Sequence, residues 1–164
     1  MRIGFGIDRH RLEAGRPCIL GGVHFPDCPV GPLGHSDGDA VCHAVADAIL
    51  GAAALGDIGQ HFPDTDAAYA SADSLALLAR AAATVAAAGW SVANVDLTVM
   101  TEQPHLAGAR DAMREKLAGA LGVDTGRVSV KATRGEGLGP EGRGEAVTVH
   151  AVALLEPRPE DAAS

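Results

Sequence analysis

Apolar positions recur along this chain with two periods, and the change from one period to the other marks its elements. Ile3, Phe5 and Ile7 alternate with other residues, the period of two expected of a strand over 2–9. From Gly38 the pattern turns helical: Val41, Val45, Ile49 and Leu50 recur at helical spacing, with Gly51 near the end of a helix expected over 38–55. The same reading predicts further strands over 18–25, 90–101, 127–133 and 145–155, and further helices over 73–88 and 107–121. Gly89 and Gly122 fall where two of those helices would end, as C-terminal capping prefers. Strands and helices alternate, so the fold class is α/β. The last strand is apolar on nearly both faces, which suits helices on one side and another layer on the other, a partner subunit being one candidate. No internal repeat is visible, and the tail 157–164, rich in Pro and charge, is expected to be disordered.

Composition narrows the classes. At 164 residues the chain suffices for one core and is short for two ordinary domains. Its 13 Lys and Arg against 21 Asp and Glu give a formal charge of -8, which repels nucleic acid and anionic membranes. A phosphate ligand would therefore need local anchors. The three cysteines, at 18, 28 and 42, have neither a Cys-x-x-Cys spacing nor an even count, so they read as small buried hydrophobes in a reducing compartment. With no secretion signal and no apolar run long enough to span a membrane, a cytoplasmic location is expected.

The chemistry-bearing residues are concentrated early. Asp8 and His10, two apart on a strand, project to one side, and His43 sits on the first turns of the following helix. Two imidazoles and a carboxylate are the ligand set of an open zinc site, with a fourth position for water or substrate. Asp39, His43 and Asp47 are each four apart, so the two carboxylates are placed to orient His43 or to hold a second cation. A solvated, capped helix start would use the same residue types singly; the conjunction is what points to a metal. Three loops look suited to ligands. Leu33–Asp39 runs into a helix N-terminus, where His35 and Ser36 could meet a phosphate. The segment 55–66 carries Asp57, Asp64 and Asp66, two of which could bind hydroxyls or a hydrated cation. The glycine-dense stretch 131–145 could bring backbone N–H groups against phosphate. Each would also serve as a plain connection.

Taken together, Asp8-Arg-His10, His35-Ser-Asp-Gly-Asp39 with His43, Gly51-Ala-Ala-Ala-Leu-Gly-Asp-Ile-Gly59, Phe62-Pro-Asp-Thr-Asp66, Lys131-Ala-Thr133 and Gly142-Arg-Gly-Glu145 resemble the 2-C-methyl-D-erythritol 2,4-cyclodiphosphate synthase family, in order, from Met1 to about Glu156. The resemblance implies an α+β subunit, a mixed sheet backed by helices on one face, in a homotrimer around a threefold axis with active sites between subunits. It implies that 4-diphosphocytidyl-2-C-methyl-D-erythritol 2-phosphate is cyclised with loss of CMP, in the non-mevalonate isoprenoid pathway. Zn2+, or another divalent transition metal, would be held by Asp8, His10 and His43. Mg2+ or Mn2+ would accompany the substrate diphosphate, with Glu136 at the matching position. His35 would stabilise charge in the transition state. Asp57, Gly59, Phe62, Asp64 and Asp66 would meet the erythritol portion. Cytidine would lie among Thr101, Pro104, His105, Leu106 and Ala107, with Thr133 of the neighbouring subunit. Arg143 and Glu145 would lie near the threefold axis, and a cytidylyltransferase is a possible associate.

The chain also departs from that pattern. Arg134-Gly135 stand where the family commonly has hydroxyl or small polar residues, one of which assists the transition state. Arg134 is expected to contact the diphosphate in its place, since a guanidinium makes bidentate bonds to phosphate. His105 stands where a lysine is usual, and Pro140 where an aromatic residue is common. Two other readings stay open at this level: a metal-dependent phosphate hydrolase on the same trimer, and a non-catalytic trimeric homologue that binds an isoprenoid or phosphate.

Overall fold

In the computed structural model, which describes residues 1–63, 65–66 and 72–158, the long period-two segments become one mixed sheet. β1 (Arg2–Ala14), β4 (Val30–Pro32), β5 (Trp90–Met100), β6 (Val128–Thr133) and β7 (Ala146–Pro157) lie in the order β4-β1-β7-β5-β6. β5 and β6 run parallel, and the other neighbours are antiparallel. The helices are α1 (Ala40–Ala52), α2 (Ile58–His61), α3 (Ser74–Ala87), α4 (Arg110–Leu121) and α5 (Gly139–Gly142). An antiparallel majority with helices on it makes this an α+β fold. Gly122, at φ 68°, ends α4 in the left-handed conformation expected of a C-terminal cap.

The strand expected over 18–25 does not exist as one piece. Gly21 and Gly22, with φ of 58° and 72°, turn the chain, so β2 (Ile19–Leu20) and β3 (Val23–His24) form a separate two-stranded hairpin. The strand expected over 2–9 instead continues to Ala14, because β4 and β7 give it partners along its whole length. The tail falls outside the described residues from 159 onward, as do Asp64 and residues 67–71 within the chain.

Cross-strand register sorts the sheet's two faces. Gly4, Gly6, Asp8 and His10 stand opposite Ala153, Ala151, Val149 and Val147. Those in turn align with Val95, Leu97 and Val99 on β5 and with Val128 and Val130 on β6, and all of these apolar residues are buried. This is the helix-covered face. The small residues let α1 approach closely: a Cβ at Gly6 would overlap the carbonyl oxygen of Ala44 and stand 2.7 Å from the nitrogen of Ala48. On the other face, Ile3, Phe5 and Ile7 of β1 and Val152 of β7 are 74%, 58%, 49% and 43% exposed. A contiguous apolar strip of this kind is unusual on a lone subunit.

Candidate metal centre and adjoining pockets

Strand period and helix approach bring three donor side chains to one point. Asp8 and His10 emerge from the helix-covered face of β1, and α1, held against Gly4 and Gly6, lays His43 above them. His10 Nε2 lies 2.9 Å and His43 Nδ1 3.2 Å from Asp8 Oδ2, and the two ring nitrogens are 3.3 Å apart. His10 Nδ1–H donates to the carbonyl of Leu33 at 2.8 Å, which leaves Nε2 bare toward Asp8 and His43. His43 Nε2–H points the other way, within 3.0 Å of Ser74 Oγ and 3.1 Å of Ser36 Oγ. Ser74 Oγ donates in turn to Asp37 Oδ1. Two imidazole lone pairs and a carboxylate oxygen, all within 4.8 Å of one another, therefore face a common centre. Such a set repels itself unless a cation or a shared proton stands between its members, so the residues fit a bound divalent metal.

The electrostatics agree. When the imidazoles carry a proton on their inward nitrogens in place of a metal, burial opposes ionisation of Asp8, but the hydrogen bonds they then donate outweigh it and hold the carboxyl well below the usual carboxylate range. Burial likewise disfavours the charged form of His10, yet the Asp8 carboxylate beside it raises its pKa. Beside the cluster opens a cavity of about 330 Å³, lined by His10, His35, Ser36, His43, Ile58, Gly59, Phe62 and Leu77. His35, Ser36, Gly59 and Phe62 were expected near a ligand from sequence, and they line it together. Asp57 caps α2, accepting from the Gln60 amide at 3.0 Å and from its side chain at 2.8 Å. Asp66 is exposed and does not line this cavity, and Asp64 lies outside the described residues.

Two expectations are corrected here. Asp39 neither orients His43 nor holds a cation. It is the N-cap of α1, fully buried, and its carboxylate accepts from the amides of Gly21, Gly22, Val41 and Cys42 at 2.6–3.3 Å. The cap residue lies outside the helical spiral, so spacing of four from His43 does not place it on that face. The same carboxylate occupies the helix N-terminus, which closes it to a phosphate. Asp47 is turned to the backbone of Ile58, whose amide it accepts at 2.8 Å, tying α1 to α2. Orientation of His43 falls instead to Ser36, Ser74 and Asp37.

A second recess of about 150 Å³ gathers the residues expected around a nucleotide: Thr101, Pro104, His105, Leu106 and Ala107 after β5, with Ala132, Thr133 and Arg134 at the end of β6 and Arg110 from α4. Parallel pairing of β5 and β6 puts both segments at one sheet end. Pro140 is the second residue of α5, and Arg143 forms an ion pair with Glu145 at 2.9 Å; neither lines this recess or the cavity beside the cluster. Arg134 lines the recess but is paired: its Nε and Nη2 lie 3.1 and 3.0 Å from Glu102 Oε2. Glu136 is exposed, and its amide donates to Glu102 Oε1 at 2.7 Å. Level with Arg9 across the sheet, Thr133 is three strands away, roughly 14 Å at ordinary strand spacing. The Asp8–His10–His43 cluster and the recess thus lie apart on one chain.

Sequence reasoning missed Ser74, Asp37, Arg110 and Glu102. The one available signal was the cap sequence Asp73-Ser74, which marks a helix start but not what that start faces. All three cysteines are free; Cys18 and Cys42 are buried, and burial pushes the Cys18 thiol up to about 12. Among the described residues no helix is long and apolar enough to cross a membrane.

Residues 1–156 match the YgbB family. A 2-C-methyl-D-erythritol 2,4-cyclodiphosphate synthase of Chromobacterium violaceum is 57% identical over 154 residues, 94% of this chain and 97% of that protein. A solved 2C-methyl-D-erythritol-2,4-cyclodiphosphate synthase in a CDP-bound form superposes with a TM-score of 0.86 at 40% identity, over 94% of this chain and all of that one. The bifunctional IspDF of Campylobacter jejuni superposes at 0.91 with 40% identity, over 96% of this chain and 42% of that longer one.

Proposed function

The chain belongs to the YgbB family, and from that premise we propose that it converts 4-diphosphocytidyl-2-C-methyl-D-erythritol 2-phosphate to 2-C-methyl-D-erythritol 2,4-cyclodiphosphate with release of CMP, in the non-mevalonate isoprenoid pathway. The observation that carries this reading is the Asp8–His10–His43 cluster opening onto a cavity, in a chain 57% identical to a synthase of that name. The enzyme is a phosphorus–oxygen lyase. The substrate's 2-phosphate oxygen bonds to the β-phosphorus while the anhydride bond to the α-phosphate breaks, and CMP leaves with that bond's electron pair. The nucleophile is already an anion and needs no general base, so the protein's task is to position two phosphates and offset their repulsion.

Zn2+ held by Asp8, His10 and His43 would supply Lewis acidity to the β-phosphate, and Mg2+ or Mn2+ beside Glu136 would neutralise the diphosphate. The chain's own residues do the rest. His10 and His43 keep their lone pairs inward because Leu33 and Ser74 take their outward N–H groups. His35 and Ser36, on the cavity wall, are placed to donate to phosphate oxygens as charge develops. Gly59 and Phe62 bound the same cavity and would seat the erythritol carbons. Thr101, Pro104, His105, Leu106, Ala107 and Thr133 would seat cytidine, and Arg134 would present the N–H groups that Glu102 leaves free to the diphosphate.

Assembly completes the site in this reading. The separation of the two half-sites and the exposed strip Ile3, Phe5, Ile7 and Val152 support a homotrimer in which one subunit's nucleotide recess faces its neighbour's metal cluster. We further propose that residues 1–156 form one domain, that the enzyme works in the cytoplasm, and that a cytidylyltransferase associates with it, which the bifunctional relative supports. The test is product analysis by phosphorus NMR and chromatography with the authentic substrate. Equimolar CMP and cyclic diphosphate are expected, whereas inorganic phosphate or a linear product would refute the reading.

A further inference from the structure

The turn after β6 is built around a carboxylate that the reaction scheme above leaves without a role. Leu138 N–H donates to the Gly135 carbonyl at 2.8 Å, closing a turn whose central residues, Glu136 and Gly137, have φ of 49° and 82°. Glycine adopts that conformation freely. Glutamate does not, because its Cβ crowds the backbone in the left-handed region. Gly135 is equally constrained, since a Cβ there would come within 2.5 Å of Gly142 in α5. The turn is therefore pressed against α5 on one side and must be held from the other.

Glu102, on the loop after β5, does the holding. Oε1 accepts from the Glu136 amide at 2.7 Å, and Oε2 accepts from Arg134 Nε and Nη2 at 3.1 and 3.0 Å. The Glu102 side chain is only 18% exposed, against 61% for Arg134. One carboxylate thus fixes both a cation and a backbone amide two residues apart. It occupies two of the five guanidinium N–H groups, and the three that remain keep a fixed direction at the edge of the nucleotide-side recess.

We infer that Glu102 is a positioning residue for the reaction: it holds Arg134 and Glu136 in the geometry from which they meet the substrate diphosphate and its cation. The inference rests on the cyclodiphosphate synthase reading. An unpaired Arg134 would sweep a wide arc and spend conformational entropy on each encounter; tethered, it is preorganised. Because Glu102 neutralises part of Arg134's charge, it should act more on turnover than on ground-state affinity.

The test compares wild type, Glu102→Gln, Glu102→Ala, Arg134→Ala and the Glu102→Ala/Arg134→Ala double variant, with CMP release followed over a range of Mg2+ concentrations and Glu136 amide exchange followed by NMR. Glu102→Ala should lower kcat by about 10- to 100-fold, the range for residues that orient a ligand, and raise the Mg2+ concentration for half-maximal rate. KM should change less than kcat. Glu102→Gln should retain the bond to the Glu136 amide and lose the pair with Arg134, giving an intermediate kcat. The double variant should be no worse than Glu102→Ala by the full factor of Arg134→Ala, because the two act partly as one unit. Unchanged kcat and Mg2+ dependence in Glu102→Ala, with wild type active, would overturn the inference and leave the functional reading intact. If wild type itself released no CMP, that reading would fall. The tether would then be judged by the Glu136 amide alone: faster exchange in Glu102→Ala upholds it, and unchanged exchange refutes it.

Discussion

Replacing Gly6 by alanine tests how the metal cluster is assembled, because the perturbation touches none of its members. The added methyl would overlap the Ala44 carbonyl oxygen and lie 2.7 Å from the Ala48 nitrogen, about 1 Å inside ordinary contact. Both neighbours are backbone within α1, so no side chain can rotate away; the helix must move off the sheet by roughly that amount. Overpacking of this kind costs about 1–3 kcal/mol. At about 2–4 °C per kcal/mol for a chain of this size, the melting temperature should fall by roughly 2–12 °C. His43 is one residue from Ala44 and would be carried with it, away from Asp8 Oδ2 at 3.2 Å and His10 Nε2 at 3.3 Å. Metal–ligand distances tolerate only about 0.2 Å, so Zn2+ affinity should fall by roughly tenfold or more. The assays are thermal unfolding by circular dichroism and competition for Zn2+ against a chromophoric chelator. Gly51→Ala is the control: it lies on the same helix, a Cβ there meets nothing within 4 Å, and alanine favours a helix by about 1 kcal/mol over glycine. Wild-type melting and Zn2+ affinity in Gly6→Ala would refute the close-approach argument, as would equal damage from Gly51→Ala.

Three further outcomes are expected. Ser74→Ala removes the acceptor for His43 Nε2–H and should weaken Zn2+ binding toward the lower end of about 10- to 100-fold, since Ser36 remains 3.1 Å away; the chelator competition should register a larger loss in the Ser36→Ala/Ser74→Ala pair. Glu141 is held below its ordinary value by the Thr148 hydroxyl first, then by its own backbone amide and by Arg9, so it stabilises the fold above about pH 4.5 and that contribution disappears as pH falls below it. Melting curves of Glu141→Gln and wild type should accordingly differ at pH 7, by about 1–2 kcal/mol, and converge as the pH is lowered through that range. The proposed trimer makes a further prediction: Phe5→Asp puts a charge on the apolar strip where Phe5 is 58% exposed, and the sedimentation mass should fall to that of a monomer with the circular dichroism spectrum retained, whereas a variant that still sediments as a trimer would refute a role for the strip in assembly.

Much of the Asp8–His10–His43 grouping could be read before the fold was known, for a local reason. A strand's period of two fixes Asp8 and His10 on one side whatever surrounds them, and the apolar spacing of Val41, Val45 and Ile49 fixes a helix that carries His43. The motifs at 8–10, 35–43, 131–133 and 142–145 carried the resemblance to the family, and the family match over residues 1–156 spans all of them. What sequence spacing cannot report is what arrives from elsewhere in the chain. Asp39 and Asp47 looked equivalent on a helical wheel, yet one is a cap outside the spiral and the other is turned to α2; both satisfy backbone amides of other segments. Ser74 orients His43 across 31 residues of chain, and Glu102 reaches Arg134 across 32, contacts that exist only because α3 lies on α1 and because β5 and β6 pair in parallel. The break of the 18–25 segment into a hairpin has the same origin: its residues favour a strand, but the buried Asp39 carboxylate is satisfied by the amides of Gly21 and Gly22 only if the chain turns there. Local periodicity determined which side chains could share a face. Long-range hydrogen bonding, which must satisfy every buried polar group at once, decided which of them do.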